Sequence, residues 1–398
     1  MTTLAERTLL IKPSVTLAIA AKAGKLRSQG IDVINFSAGE PDFDTPDRIK
    51  AAAIEALKRG MTKYTDVRGI EPLRQAIAQK YLSDYGLRYQ MSEILVSCGA
   101  KHSLYNLFQA VVNPGDEILV PAPYWVSYAD MALLAGGVPK IIQTSEATGF
   151  RIGAQQLAKA LSSRTRVFVL NSPSNPTGAS YEETELMAIA QVLEKHNCLI
   201  VTDDIYDKIV YDGFTIRNLA TLAPSLRDRI VIVNGVSKSY AMTGWRIGYA
   251  LGPADIIDAA AKIQSQSTSN PTSIAQAAAL EAIQGRQDDV AMMVGEFAKR
   301  RNVVVERLNA ISGVQCLKPQ GAFYVFPNIA AFIGKNVNGK SLTSPCDIAD
   351  YLLEEAKVAA VPGEDFGSNA HIRLSYATSL ENIEEGCRRM RDAFAKIH

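Results

Sequence analysis

Seven short apolar runs, at 94–96, 118–120, 138–142, 167–170, 199–202, 230–233 and 247–251, alternate with segments of helical periodicity such as 101–112 and 182–196. Runs this short and this apolar are strands covered on both faces, and strands separated by helices pair in parallel. The pattern predicts an α/β fold on a mostly parallel seven-stranded sheet. Ligands of such sheets collect beyond the carboxyl ends of the strands. The residues that follow each run therefore carry the functional argument.

Three of these strand ends stand out together. Ile230-Val231-Ile232-Val233 leads through Ser237 to Lys238, followed by a Gly/Trp-rich turn that carries Arg246. A lysine at a strand end is as a rule solvated, but when partly desolvated and beside other cations its pKa falls until the free amine can attack a carbonyl. Cys198-Leu199-Ile200-Val201 ends in Thr202-Asp203-Asp204-Ile205-Tyr206. There Asp203 can hold a ring nitrogen protonated while the Tyr206 phenol bonds a ring oxygen. Val167-Phe168-Val169-Leu170 runs into Asn171-Ser172-Pro173-Ser174-Asn175-Pro176-Thr177-Gly178, a stiff turn that aims an amide side chain. Strand-turn segments of this kind are common singly. Their succession, delivering Asn, then Asp and Tyr, then Lys and Arg, is not.

From Lys12-Pro13-Ser14 to Arg373-Leu374-Ser375-Tyr376-Ala377-Thr378 the chain resembles the fold type I, pyridoxal-phosphate-dependent aminotransferases, most closely the aspartate aminotransferases of class I, subgroup Ib. The resemblance implies a large domain at 45–290 with the mostly parallel sheet. It also implies a smaller α+β domain built from both termini, 1–44 and 291–398. A long helix over 286–311 would bridge them. The small domain would hold strands 321–326, 358–361 and 371–376 and helices 345–356 and 380–396. Helices are further expected at 15–29, ending at Gly30, at 46–59 and at 272–284.

The same resemblance assigns the site. Lys238 would hold pyridoxal 5'-phosphate as a Schiff base and shuttle the substrate proton. Asp203 would face the pyridine nitrogen, with Tyr206 and Asn175 on the ring oxygen. Gly99, Ala100 and Lys101 open a helix after the first run, where free N–H groups and the dipole suit a phosphate, and the family adds Ser237 and Arg246. Trp125 would stack on the ring. Tyr64 would reach the phosphate of the other subunit, which implies a homodimer with shared active sites. Gly39 and Arg373 would fix the substrate α-carboxylate, and Lys101 the distal one. Lys12 matches the position linked to prephenate use.

Each residue also has a plain reading. Gly39 can make a simple turn, Tyr64 can be a half-buried loop tyrosine, and Lys101 a solvated first-turn lysine. Trp125 can be core packing, and Arg373, a cation in a strand-like run, must be paired and suits either an internal carboxylate or a bound one. The leading reaction is L-aspartate with 2-oxoglutarate, with prephenate as a second substrate. The alternatives are a β-lyase or an aminotransferase for aromatic or neutral amino acids, and a regulator that has borrowed the domain. No basic helix-turn-helix module precedes residue 30 to favour the regulator.

One motif competes. Gly334-Lys335-Asn336-Val337-Asn338-Gly339-Lys340-Ser341 fits the P-loop pattern, but Leu342-Thr343-Ser344-Pro345 postpones helix entry to a Ser344 cap with Pro345 at the first position. The segment is expected to be a polar surface loop. Composition narrows the rest. A length of 398 residues favours two domains, and 42 Lys+Arg against 41 Asp+Glu leave no electrostatic footprint for nucleic acid or an anionic membrane. Five cysteines without a C-x-x-C pair read as reduced thiols, and four dispersed histidines give no metal site. Met1 to Arg7 lacks a signal-peptide core, so a cytoplasmic enzyme acting on small amino acid and keto acid substrates is expected.

Overall fold

The computed structural model describes residues 4–11, 13 and 15–398. Strands β1 (Ile94–Ser97), β2 (Glu117–Ala122), β3 (Val138–Gln143), β4 (Thr165–Asn171), β5 (Leu199–Asp203), β6 (Ile230–Gly235) and β7 (Gly248–Leu251) form one seven-stranded sheet, ordered β1-β7-β6-β5-β4-β2-β3. In it β7 runs antiparallel to both neighbours, while the remaining pairs are parallel.

The uninterrupted apolar runs follow from burial of both faces. Alternate side chains of a strand point to opposite sides. Val96, Phe168, Ile200 and Ile232 enter one core with the helices Asp47–Lys58, Glu71–Tyr85, Glu183–Leu193 and Ser273–Gln284. Their neighbours Leu95, Val169, Val201 and Val233 enter a second core with the helices Ala100–Val111, Ser127–Leu134 and Ala254–Ser267. Each such side chain contributes about 1.5–3 kcal/mol relative to exposure. The sheet is thus a stiff platform, and its strand ends are held in fixed relation.

A third core unites the two ends of the chain. Ile34 and Phe36 pack with Phe323, Val358, Leu374 and Ile383 and with Phe297, Val304 and Leu308 of the helix Asp288–Asn309. Ile34–Asn35 pairs in parallel with Val358–Ala359. Tyr206, just past β5, belongs to this same core. The residues after β5 are therefore gripped from the sheet on one side and by the terminal segments on the other.

Several expected elements differ. The run 358–361 is two short strands: Val358–Ala359 joins Ile34–Asn35, and Val361–Pro362 pairs antiparallel with Ile372–Ser375. The chain changes sheets between them. The strand expected at 321–326 narrows to Tyr324–Val325, because Ala322 at φ 55° breaks extended geometry. Helix 345–356 is α-helical to Tyr351 and then widens to a π turn over Leu352–Ala356. Ser344 caps it, accepting from the Asp347 N–H, with Pro345 in the first turn.

The segment 334–341 is not a loop. Lys335–Val337 and Lys340–Leu342 form a hairpin whose two turn residues, Asn338 and Gly339, have φ 49° and 75°. Both signs are positive, as the favoured two-residue turn requires, and Asn-Gly is its strongest sequence signal. Among the described residues no helix is long and apolar enough to cross a membrane.

One close approach positions the site. A Cβ on Gly248 of β7 would lie 2.0 Å from the backbone nitrogen of Ala100, so only glycine lets the helix Ala100–Val111 start directly against the strand. Gly248→Ala should cost about 1–3 kcal/mol, as overpacking does, and lower the urea midpoint. Gly153→Ala, with no atom within 4 Å of the added carbon, should stay within about 0.5 kcal/mol.

Candidate active site

Register aligns the functional strand ends. Asn171 at the end of β4 pairs with Asp203 at the end of β5, and Asp203 pairs with Val233 of β6. Asn171 Nδ2 donates to the Asp203 carbonyl at 2.8 Å, and Asn171 Oδ1 accepts from the Asn175 N–H at 3.0 Å. The residues beyond these strands open onto one cavity of about 490 Å³. Ala100, Lys101, Trp125, Asn175, Asp203, Tyr206, Ser237, Lys238, Arg246, Gly39 and Arg373 all line it. Eleven of the positions expected from sequence are thereby brought together.

Lys238 is its amine. Nζ donates to the Gly39 carbonyl at 2.7 Å. Burial, reinforced by the cations Arg246 and Arg373, pulls its pKa down to about 8, against Glu40 and Asp203. Desolvation disfavours the ammonium, so a larger share is free amine at neutral pH than for an ordinary lysine.

Asp203 is 3% exposed. Oδ2 accepts from the Tyr128 phenol at 2.5 Å and Oδ1 from the Ile205 N–H at 3.3 Å. Burial pushes its pKa up to about 6, with the Tyr128 bond, the Ile205 N–H and Lys238 all working to keep it ionised.

Arg373 is 2% exposed and, among the described residues, pairs with no carboxylate. Nη1 donates to Asn175 Oδ1 at 3.0 Å and Nη2 to the Ser37 carbonyl at 2.9 Å, while Nε has no partner among the described residues. The Tyr324 ring lies 4.6 Å from the guanidinium carbon and the Phe366 ring 5.0 Å. Two neutral acceptors leave the positive charge uncompensated in a buried place, which is the state of a group built to receive an anion.

A second anion cradle lies at the start of the helix Ala100–Val111. Gly99 precedes it at φ 89°, and a Cβ there would sit 2.3 Å from Arg246 Nη2. The guanidinium is thus laid against the helix N-terminus, where it adds to the dipole and the free N–H groups. Arg246 is steadied by the Thr243 carbonyl at 2.8 Å. In the first turn of the same helix Lys101 Nζ lies 5.0 Å from the centre of the Trp125 ring. Partial burial and Arg246 lower the Lys101 pKa, against Asp130.

Two expected residues stand apart. Tyr64 is 90% exposed and does not line the cavity. Lys12 lies outside the described residues. Sequence reasoning also missed several wall residues. Tyr324 bonds Tyr206, hydroxyl to hydroxyl, at 2.9 Å. Glu40 accepts from Thr243 at 2.6 Å, and Tyr128 holds Asp203. For Tyr128 a signal existed: it follows Trp125 by only three residues. Among the described residues no cluster of three or more His, Cys, Asp or Glu could hold a metal.

Comparison with known proteins identifies the family and the fold. Residues 31–390 match the model of the family Aminotransferase class I and II. The chain is 50% identical to the aspartate/prephenate aminotransferase of Cereibacter sphaeroides over 382 residues, covering 96% of each. It is 49% identical to that of Nitrosomonas europaea over 390 residues, covering 97% of this chain and 98% of the other. The crystal structure of the aspartate aminotransferase from Rhizobium meliloti superposes with a TM-score of 0.97 at 44% identity, covering 100% of both chains. That of Thermus thermophilus with maleate gives 0.93 at 41%, covering 99% of this chain and 100% of the other. With a buried, activated lysine that shares one cavity with a carboxylate and two anion cradles, on a fold shared over its whole length with these enzymes, this chain belongs to the class I and II aminotransferases.

Proposed function

We propose that this aminotransferase uses pyridoxal 5'-phosphate to move the amino group of L-aspartate to 2-oxoglutarate, giving oxaloacetate and L-glutamate, and that it also converts prephenate to arogenate. The observation that carries this is that two cations from separate elements, Arg373 on the strand Ile372–Ser375 and Lys101 on the helix Ala100–Val111, line one cavity with the Lys238 amine. A dicarboxylic amino acid has that charge pattern. The relatives in Cereibacter sphaeroides and Nitrosomonas europaea, named for aspartate and prephenate, support both substrates.

The residues present fit the cofactor. The Gly99 cradle, which a Cβ would fill, joins Arg246 and Ser237 into a phosphate site. Asp203 offers a buried carboxylate to the ring nitrogen, Trp125 a flat face, and Tyr206 and Asn175 donors for the ring oxygen. When bound, the cofactor supplies an electrophilic carbon and an electron-accepting ring. The protein supplies position and charge. Arg373 and the Gly39 N–H orient the α-carboxylate, Lys101 takes the distal carboxylate, and Lys238 Nζ carries a proton to and from the substrate α-carbon.

This reading takes the enzyme to be a cytoplasmic homodimer, in which the exposed Tyr64 reaches the phosphate site of a second copy. It takes 45–290 and the joined segments 1–44 and 291–398 to be separate domains. The third core, which unites Ile34 and Phe36 with residues beyond 290, supports that division, and the described cysteines are all free.

Lys238→Ala should lower transamination by about 10³-fold or more, since it removes both nucleophile and proton carrier. Lys101→Ala should lower kcat/KM for aspartate by about 10–100-fold, the worth of one charged hydrogen bond, and leave alanine turnover nearly unchanged. A steady-state substrate panel checks both, and equal losses on the two substrates would remove Lys101 from the distal site. Lys12→Ala should depress prephenate turnover far more than aspartate turnover. In the cofactor-free protein, the lowered pKa means that acylation of Lys238 should rise with pH through about 8. An ordinary lysine would instead titrate near ~10.4.

A further inference from the structure

Tyr128 is not part of the expected site, yet it makes the shortest bond to the carboxylate at its centre. It lies on the helix Ser127–Leu134, is 1% exposed and lines the cavity. Its hydroxyl donates to Asp203 Oδ2 at 2.5 Å, the distance of a strong bond to an ionised acceptor. Its ring meets Trp125 edge-on, with centroids 5.2 Å apart at 88°. The first turn of this helix therefore carries the donor that fixes the carboxylate, and Trp125, two residues before the helix begins, carries the flat face of the cavity.

We infer that Tyr128 is a positioning residue whose phenol fixes the proton between Asp203 and the cofactor ring nitrogen, holding it on the nitrogen. The inference rests on the proposal that Asp203 faces that nitrogen. In a buried pair, carboxylate with protonated ring and carboxylic acid with neutral ring lie close in energy, because burial penalises separated charge. A hydrogen bond donated to the carboxylate stabilises its ionised form alone. The proton is neither gained nor lost by the pair; the phenol decides which partner keeps it. The bond also occupies Oδ2, and the Ile205 N–H occupies Oδ1 on one side, so the carboxylate cannot rotate freely. The other titratable groups around Asp203 do not offer this. Tyr206 is engaged with Tyr324, Asp204 accepts from Asn218, and Lys238 donates to Gly39.

The test is Tyr128→Phe, which keeps the ring and removes the donor. Wild-type and variant apoprotein are loaded with pyridoxal phosphate labelled with ¹⁵N in the ring, and the nitrogen shift and the Kd are measured, with circular dichroism confirming the fold. The nitrogen signal should move toward that of neutral pyridine, and the Kd should rise by about tenfold or more. In the Asp203→Asn background, Tyr128→Phe should change the Kd much less, since the phenol then has no carboxylate to act on. Wild-type-like shift and Kd in Tyr128→Phe, or an equal loss in both backgrounds, would overturn the inference. Should Tyr128→Phe not fold, 3,5-difluorotyrosine at position 128, a stronger donor of nearly the same shape, should lower the Kd, and an unchanged value would overturn it. Failure of the wild type to take up pyridoxal phosphate would instead overturn the functional proposal beneath it.

Discussion

The register of three adjacent parallel strands is the constraint on which the site depends. Asn171 and Asp203, the last residues of β4 and β5, pair with each other, and Asp203 pairs with Val233, two residues before the end of β6. A one-residue slip would turn every side chain to the opposite face, sending Asp203 into the core beneath the sheet. The two apolar cores, with alternate residues of each strand committed to opposite sides, make such a slip prohibitively costly. Placement of the functional groups is therefore a by-product of packing the sheet.

Charge completes what register begins. The cavity brings the cations Lys101, Lys238, Arg246 and Arg373 together with the carboxylates Asp203 and Glu40. Arg373, which among the described residues donates to the neutral acceptors Asn175 Oδ1 and the Ser37 carbonyl, keeps its charge for a ligand, and the Gly99 cradle keeps Arg246 against a helix N-terminus. Burial above all, helped by Arg246 and Arg373, lowers the Lys238 pKa, and the same cations attract anions, so one arrangement both activates the amine and selects what reaches it. The terminal segments share in it, since Ser37 and Gly39 offer their carbonyls to Arg373 and Lys238.

Much of this was legible in the sequence. Strand positions followed from unbroken apolar runs, and Lys238, Asp203 and Asn175 followed from their places just beyond those runs. What escaped had no local signature. Tyr324 sits 118 residues from its partner Tyr206 in the chain, and Glu40 lies 203 residues from Thr243. Only the folded chain brings them together. The double strand at 358–361 reads as one apolar run because both halves are buried, and nothing in composition marks the change of sheet. The hairpin at Asn338-Gly339 was legible but was overshadowed by its likeness to a P-loop. Tyr64 is exposed, and its expected role depends on a second copy of the chain, so neither sequence periodicity nor the single chain displays it.

The central claim is that the Lys238 amine, its neighbouring carboxylate and the two anion sites form one working centre for amino transfer from a dicarboxylic amino acid. The most direct measurement is the visible absorbance of the protein with pyridoxal phosphate, before and after L-aspartate is added without any keto acid. The account predicts a yellow band that aspartate converts to the absorbance of the aminated cofactor. A band unmoved by aspartate would contradict the dicarboxylate assignment, and no band at all would contradict the centre itself.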